Sequence, residues 1–346
     1  MATILILGAG VMGSALAVPA ADNGHTVLLA GTPVDTDIIA RIGKAGGVHP
    51  KLDQPLPGNV RPIANADLSD ADVEAADMIV VGVSSPGISW AVERLAGAMK
   101  RPRRIAFVTK GLDKAGSSLV TLAGSLPSRL PQMSAFLGIG GPCIARELAN
   151  RKPSACVYAC ADRQAAGEFA ALMTTDYYRL STTDDVVGVE ACAALKNFYA
   201  IGVAAMQTRY PDSARADAQS KNPTAAAFTQ ATREMARLCE RFGGRRDTAF
   251  DLAGLGDLHV TVGGGRNSRL GHELGRDRTV SDVMAKELAG ETVEGIDTAR
   301  MLSAWLQPTP GLEPIGPDRF PLAYAIIDAV LQDTPFKFDF ATLTIS

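Results

Sequence analysis

Aromatic side chains are scarce in this chain, at 5% of 346 residues with two tryptophans, and net charge is small, at −3. With 34 basic residues against 37 acidic ones, it carries no electrostatic footprint for nucleic acid or an anionic membrane. The one basic cluster, Lys100-Arg-Pro-Arg-Arg104, reads as a solvated loop before a strand. Cysteine stops at five, an odd and scattered set that argues for thiols in a reducing compartment. Cys156 and Cys160 lie close together, but no second pair or histidine is near enough in sequence to complete a metal site. No basic leader precedes the apolar run after Met1, and no apolar run reads as long enough to cross a bilayer. These absences lead to the expectation of a soluble, cytoplasmic protein without a nucleic-acid partner or a membrane span. Oligomeric state is not set by the sequence, a homodimer being one assembly open to it.

What is present is a hydrophobic content of 47%, ample for a core, in a chain long enough for two domains. The chain opens with an apolar strand, Thr3-Ile-Leu-Ile-Leu7, then Gly8-Ala9-Gly10-Val11-Met12-Gly13, then a helical run from Ser14 to Asn23. Strand, glycine turn and helix in that order give the G-x-G-x-x-G spacing the context in which it binds a dinucleotide. Gly8 permits the tight turn, Gly10 lets backbone approach a pyrophosphate, and Gly13 lets helix and strand pack closely. The helix start then offers N–H groups and a positive dipole end to the anion. Pro19 falls late in that helix and is expected to bend or shorten it.

Apolar runs at 77–83, 105–108 and 135–137 read as buried parallel strands, with helices between them at 88–99 and 117–126. A further strand pair at 154–159 and 177–181 flanks a helix at 163–173. This alternation implies a doubly wound, mostly parallel sheet, with ligand loops after the strand ends at Thr109-Lys110-Gly111 and Gly140–Cys143. Past Asp185 helical patterns take over, at 188–205, 224–242, 267–274, 280–288, 293–306 and 322–331. The expected domains are therefore 1–185, binding the dinucleotide, and 186–346, helical and binding substrate. The proline- and glycine-rich run 308–317 reads as a rigid loop.

The helix at 188–205 is small and apolar on all sides, and its only charges are Glu190 and Lys196. A lysine there is costly to desolvate and its proton affinity is easily moved, which suits proton transfer; a snorkelling or ion-paired core lysine is the plainer alternative.

Several short motifs now line up with a family. The glycine turn, Thr109-Lys-Gly-Leu112, Gly141-Pro-Cys-Ile-Ala145, Gly188-Val-Glu190, Ala194-Leu-Lys-Asn197, Gly254-Leu-Gly-Asp-Leu258, Gly264-Gly-Arg-Asn267 and Val293-Glu-Gly295 together resemble NAD(P)-dependent glycerol-3-phosphate dehydrogenases along nearly the whole chain. The resemblance implies an N-terminal Rossmann domain, an all-helical C-terminal domain, and reversible reduction of a small molecule, dihydroxyacetone phosphate, to sn-glycerol 3-phosphate in a cleft between domains. Lys196 would donate the proton, Lys110 would hold substrate and cofactor, and Asp257 would pair with Lys196. Asn197, Thr261, Arg266 and Asn267 would bind substrate. The glycine-turn residues, Thr32, Ala145, Arg266 and Glu294 would contact the cofactor. Gln230 and Val262 depart from residues common in the family, which leaves the exact polyol phosphate open. Two alternatives are a 3-hydroxyacid dehydrogenase of the 6-phosphogluconate type and a non-catalytic dinucleotide sensor.

The cofactor is expected to be NAD or NADP. The second strand ends Leu29-Ala30-Gly31-Thr32 with Pro33 next, so no carboxylate is read there to repel a 2′-phosphate, and NADPH is expected to be accepted.

Overall fold

The computed structural model of the protein describes all residues except 45, 117, 212–218, 307–315 and 344–346. It divides into two compact units: residues 1–110 with 122–190, and residues 111–121 with 191–346.

The first unit is built on an eight-stranded sheet. Its strands are β1 (Thr3–Leu7), β2 (Thr26–Ala30), β3 (Val60–Ile63), β4 (Met78–Val81) and β5 (Arg103–Phe107), then β8 (Met133–Gly140), β9 (Ser154–Ala159) and β10 (Tyr178–Thr183). The intervening β6 (Leu112–Ala115) and β7 (Ser118–Thr121) form an antiparallel hairpin in the second unit. Across the large sheet the order is β10-β9-β8-β5-β4-β1-β2-β3, parallel except where β8 meets β9. Order reverses between β1 and β4, the crevice at which open α/β sheets bind ligands. Helices α1 (Val11–Asp22), α2 (Thr36–Ile42), α3 (Asp70–Ala75), α4 (Ile88–Ala98), α5 (Leu122–Arg129), α6 (Ala145–Ala149) and α7 (Arg163–Met173) connect the strands. The β1 side chains Ile4 to Leu7 and the β4 side chains Met78 to Val81 are essentially inaccessible, as apolar central strands covered by helices must be.

The second unit is helical apart from that hairpin. It takes α8 (Val186–Thr208) from Ala191 onward, then α9 (Lys221–Phe242), α10 (Asp257–Val262), α11 (Arg266–Gly275), α12 (Val280–Ala285), α13 (Glu294–Trp305) and α14 (Pro321–Leu331). Helix α11 lies tight on α8, because at Gly271 a Cβ would stand 2.3 Å from the Ile201 carbonyl oxygen.

Four readings change. Helix α1 continues through Pro19 to Asp22, so the proline does not shorten it. The segment read as helix from 117 begins instead as β7, whose Leu119 and Thr121 are buried on alternate positions, and helix starts only at Leu122. Strand β3, with Pro62 within it, was not read; it sits at the sheet edge, where a missing N–H is tolerated. Helix α8 is, at 23 residues and mean hydropathy 1.4, long and apolar enough to cross a membrane on length and composition alone. Its apolar stretch is 83% buried inside the protein, which makes it a core helix. The proline-rich run falls mostly on 307–315, outside the described residues.

Candidate active site

In the first unit the glycine turn joins β1 to α1. Gly8 has φ +107°, a left-handed conformation open to glycine, and its N–H donates to the Ala30 carbonyl at 2.8 Å. At Gly13 a Cβ would stand 2.1 Å from the Gly8 carbonyl oxygen, so any side chain would force α1 off the strand. Gly10 faces open space and begins the helix through Ser14 N–H to its carbonyl at 2.9 Å. A bare backbone face at a helix N-terminus suits a pyrophosphate, and these residues fit the dinucleotide that the motif implies.

The expectation about the end of β2 needs correction. Asp35, three residues past Thr32 and 7% exposed, turns its carboxylate back onto the glycine turn. Its Oδ2 accepts from Ala9 N–H at 3.2 Å, Thr32 N–H at 2.9 Å and the Thr32 hydroxyl at 2.8 Å. A carboxylate therefore stands beside Ala9 and Thr32, with three donors spent on it. Asp35 lies past the strand end and Pro33, where the local sequence gives no signal of this contact.

Lys110 ends β5's loop. Thr109 anchors that loop by donating to the Val83 carbonyl at 2.6 Å, and the Ser85 hydroxyl donates to the Lys110 carbonyl at 3.2 Å. Lys110 lines a pocket with Met12, Val108, Gly140, Gly141 and Tyr178. Ala145 starts α6 and is buried. Thus Gly8 to Gly13, Thr32, Lys110 and Ala145 all lie in the first unit.

The remaining candidates lie in the second. Lys196 is 7% exposed and Asp257 1%. The Lys196 ammonium donates to Asp257 Oδ1 at 2.9 Å and to the Thr261 hydroxyl at 2.6 Å. Thr261 in turn donates to the Asp257 carbonyl at 2.7 Å, so its oxygen is oriented to accept from the lysine. Three residues from α8 and α10, two of them buried and Thr261 partly so, thus form one network that fixes the ammonium. Asn267 Nδ2 donates to Asn197 Oδ1 at 3.2 Å, and Gly295 N–H donates to Asn267 Oδ1 at 2.9 Å. This ties α8, α11 and the start of α13 together. Arg266, the first residue of α11, forms an ion pair with Glu294, and both side chains remain partly exposed.

One positioning feature was not legible. Residues Leu252–Gly256 form a π-helical turn that delivers Asp257 to the first position of α10. Gly254 makes the turn possible: a Cβ there would stand 2.2 Å from the Ala249 carbonyl oxygen. Single π turns often mark functional sites. Gly254→Ala is therefore expected to displace Asp257 and lower kcat about a hundredfold, the usual result of a misplacement near 1 Å, with dinucleotide affinity kept. Steady-state kinetics and a cofactor titration check it.

Comparison with known proteins adds identity to this geometry. The model of the NAD-dependent glycerol-3-phosphate dehydrogenase N-terminus matches residues 3–166, and that of the C-terminus matches 185–337. The chain belongs to the NAD-dependent glycerol-3-phosphate dehydrogenase family. An NADP(+)-dependent glycerol-3-phosphate dehydrogenase from Archaeoglobus fulgidus is 36% identical over 86% of this chain and 87% of its own length. A glycerol-3-phosphate dehydrogenase [NAD(P)+] from Lysinibacillus sphaericus is 32% identical over 87% and 85%. The crystal structure of glycerol-3-phosphate dehydrogenase from Coxiella burnetii matches with a TM-score of 0.79, at 30% identity and 96% coverage of both chains. Family membership and the buried lysine network arise from independent observations, one from the whole chain and one from three side chains.

Proposed function

We propose that the chain reduces dihydroxyacetone phosphate reversibly to sn-glycerol 3-phosphate, with NAD(H) or NADP(H), and that Lys196 is the proton donor. The observation that carries the role of Lys196 is its buried pairing with Asp257 and Thr261. The dinucleotide, when bound, supplies or removes the hydride. Hydride arriving at a ketone carbon leaves charge on the oxygen, and a fixed ammonium both stabilises that charge and gives up a proton to it. Asp257 keeps the lysine charged and oriented, and Thr261 restricts its rotation.

Arg266 and Asn267 open a ten-residue helix after Gly264-Gly265, where backbone donors, the dipole and a guanidinium meet a phosphate favourably. Glu294 holds the guanidinium in place, and an incoming phosphate competes with it for the same donors. Lys110 is the proposed cation of the first unit for a phosphorylated ligand, and Asn197 orients Asn267. The glycine turn, Thr32 and Ala145 are the proposed dinucleotide contacts. Asp35 supports the turn, and with its charge shared among three donors it allows either dinucleotide.

The test compares dihydroxyacetone phosphate with dihydroxyacetone by nicotinamide absorbance. The phosphorylated ketone should be turned over and the other should not. Arg266→Ala should raise KM roughly ten- to hundredfold, since a charge-assisted phosphate contact contributes about 1.5–3 kcal/mol. Equal rates on both ketones would remove the phosphate argument.

A further inference from the structure

Beside α1, the β8–β10 edge of the first unit's sheet holds a pocket with largely apolar walls. Met12, Leu16 and Val108 meet Cys143, Cys156 and Tyr178 there, with Lys110 in the same wall. Two of the five cysteines share this pocket; Cys160, Cys192 and Cys239 are buried and do not line it. Cys143 is partly exposed, whereas Cys156 is 1% exposed. The chain leading to Cys143 rests directly on Cys156. At Gly141, with φ +122°, a Cβ would stand 3.1 Å from Cys156 Cα and 3.5 Å from its Sγ. Tyr178 is fully buried and lines the pocket, with its hydroxyl beside Cys156.

We propose that Cys143 and Cys156 are an oxidisable pair, a modification site for hydroperoxides, in which Cys143 reacts first and Cys156 closes a disulfide across the pocket. The Cys143 thiolate attacks one peroxide oxygen, the O–O bond breaks, and sulfenic acid and hydroxide result. The Cys156 thiol then attacks the sulfenic sulfur, the S–O bond breaks, and the S–S bond forms with release of water. The two thiols lose two electrons and the peroxide gains them. Partial exposure lets the oxidant reach Cys143, while apolar burial keeps Cys156 inert until a sulfenic acid forms beside it. Tyr178 supplies an O–H to the sulfenic oxygen. The disulfide pulls the 141–143 loop onto β9 and narrows the pocket beside Met12 of the glycine turn. That last consequence rests on the dinucleotide reading above; the thiol chemistry does not.

The full-length chain, reduced and then exposed to hydrogen peroxide, should lose two hydrogens in intact mass and yield a Cys143–Cys156 cross-linked peptide. Dinucleotide affinity, read by fluorescence titration, should fall at least about tenfold and return with dithiothreitol. Under the same treatment Cys156→Ala should gain an oxygen at Cys143, trapped by dimedone, and form no cross-link. Cys143→Ser should leave Cys156 unmodified. A chain in which Cys143 stays reduced while other thiols oxidise, or in which Cys143 bridges to a different cysteine, would overturn the pair. Full cross-linking with unchanged affinity would overturn its coupling to the pocket. Because mass needs no turnover, a protein that cross-links but never reduces dihydroxyacetone phosphate refutes the assigned activity and leaves the pair standing.

Discussion

Lys196→Met is expected to lower kcat by about two to four powers of ten, the usual worth of a positioned acid, while the dinucleotide still binds. The variant keeps the apolar stem of the side chain and removes only the ammonium. Taken alone, loss of a buried charge would favour the fold. Asp257 reverses that expectation, because it is 1% exposed and would lose the ammonium it is paired with. Removing one partner of such a pair costs about 3–5 kcal/mol, so the variant should also melt earlier. Lys196→Met combined with Asp257→Leu removes both charges and should recover most of the stability, since buried pairs replaced by apolar groups are often near neutral. It should recover none of the turnover. Melting temperature and kcat measured on both variants therefore separate a chemical lysine from a structural one. A kcat within about tenfold of the parent in the single variant would exclude Lys196 as the acid.

Glu234→Gln is expected to flatten the dependence of stability on pH. Glu234 is wholly inaccessible in α9, and burial pushes its carboxyl up to about 7. Gln230, the Leu322 and Ala323 N–H groups at the start of α14, and the Tyr199 hydroxyl all donate to it and pull the other way. Because the folded pKa is raised above the ordinary 4.5, the native state holds a proton that the unfolded state has already lost. Below about pH 4.5 both states are protonated and the group is neutral in its effect. As pH rises from 4.5 through about 7 stability falls, and above that the full loss of roughly 3 kcal/mol remains. In Glu234→Gln that slope should vanish. The new amide also turns a donor toward one of the two α14 N–H groups, so some stability is lost at every pH. Urea unfolding at pH 5 and pH 8 reads the difference, and an unchanged slope would show that Glu234 is ionised throughout.

Features carried by local sequence are legible in the chain alone. The glycine turn is such a case, because Gly8 and Gly13 are required by backbone geometry within ten residues of one another. Lys196 stands out because it is one of only two charges in an apolar helix, and the break from alternating strands to helices near Asp185 is a change of periodicity. Asp35 lies beyond the strand end, and only folding of its loop turns it onto Ala9. Residues 118–121 look as helical as strand-like in isolation, and pairing with Leu112–Ala115 decides between them.

The sequence by itself singled out Lys196 for its chemistry, and the family resemblance implied Asp257 and Thr261 beside it. It determined the class of fold and the kind of ligand, because period and turn residues are read one segment at a time. Tertiary structure decided that the three meet, across 61 and 65 residues of intervening chain, at 2.9 and 2.6 Å. It also decided that an apolar helix long enough for a bilayer is a core helix, and that a π turn at Gly254 sets the register of Asp257. The reason is common to all three: burial and close approach depend on what packs against a residue, and those neighbours lie far away in the chain.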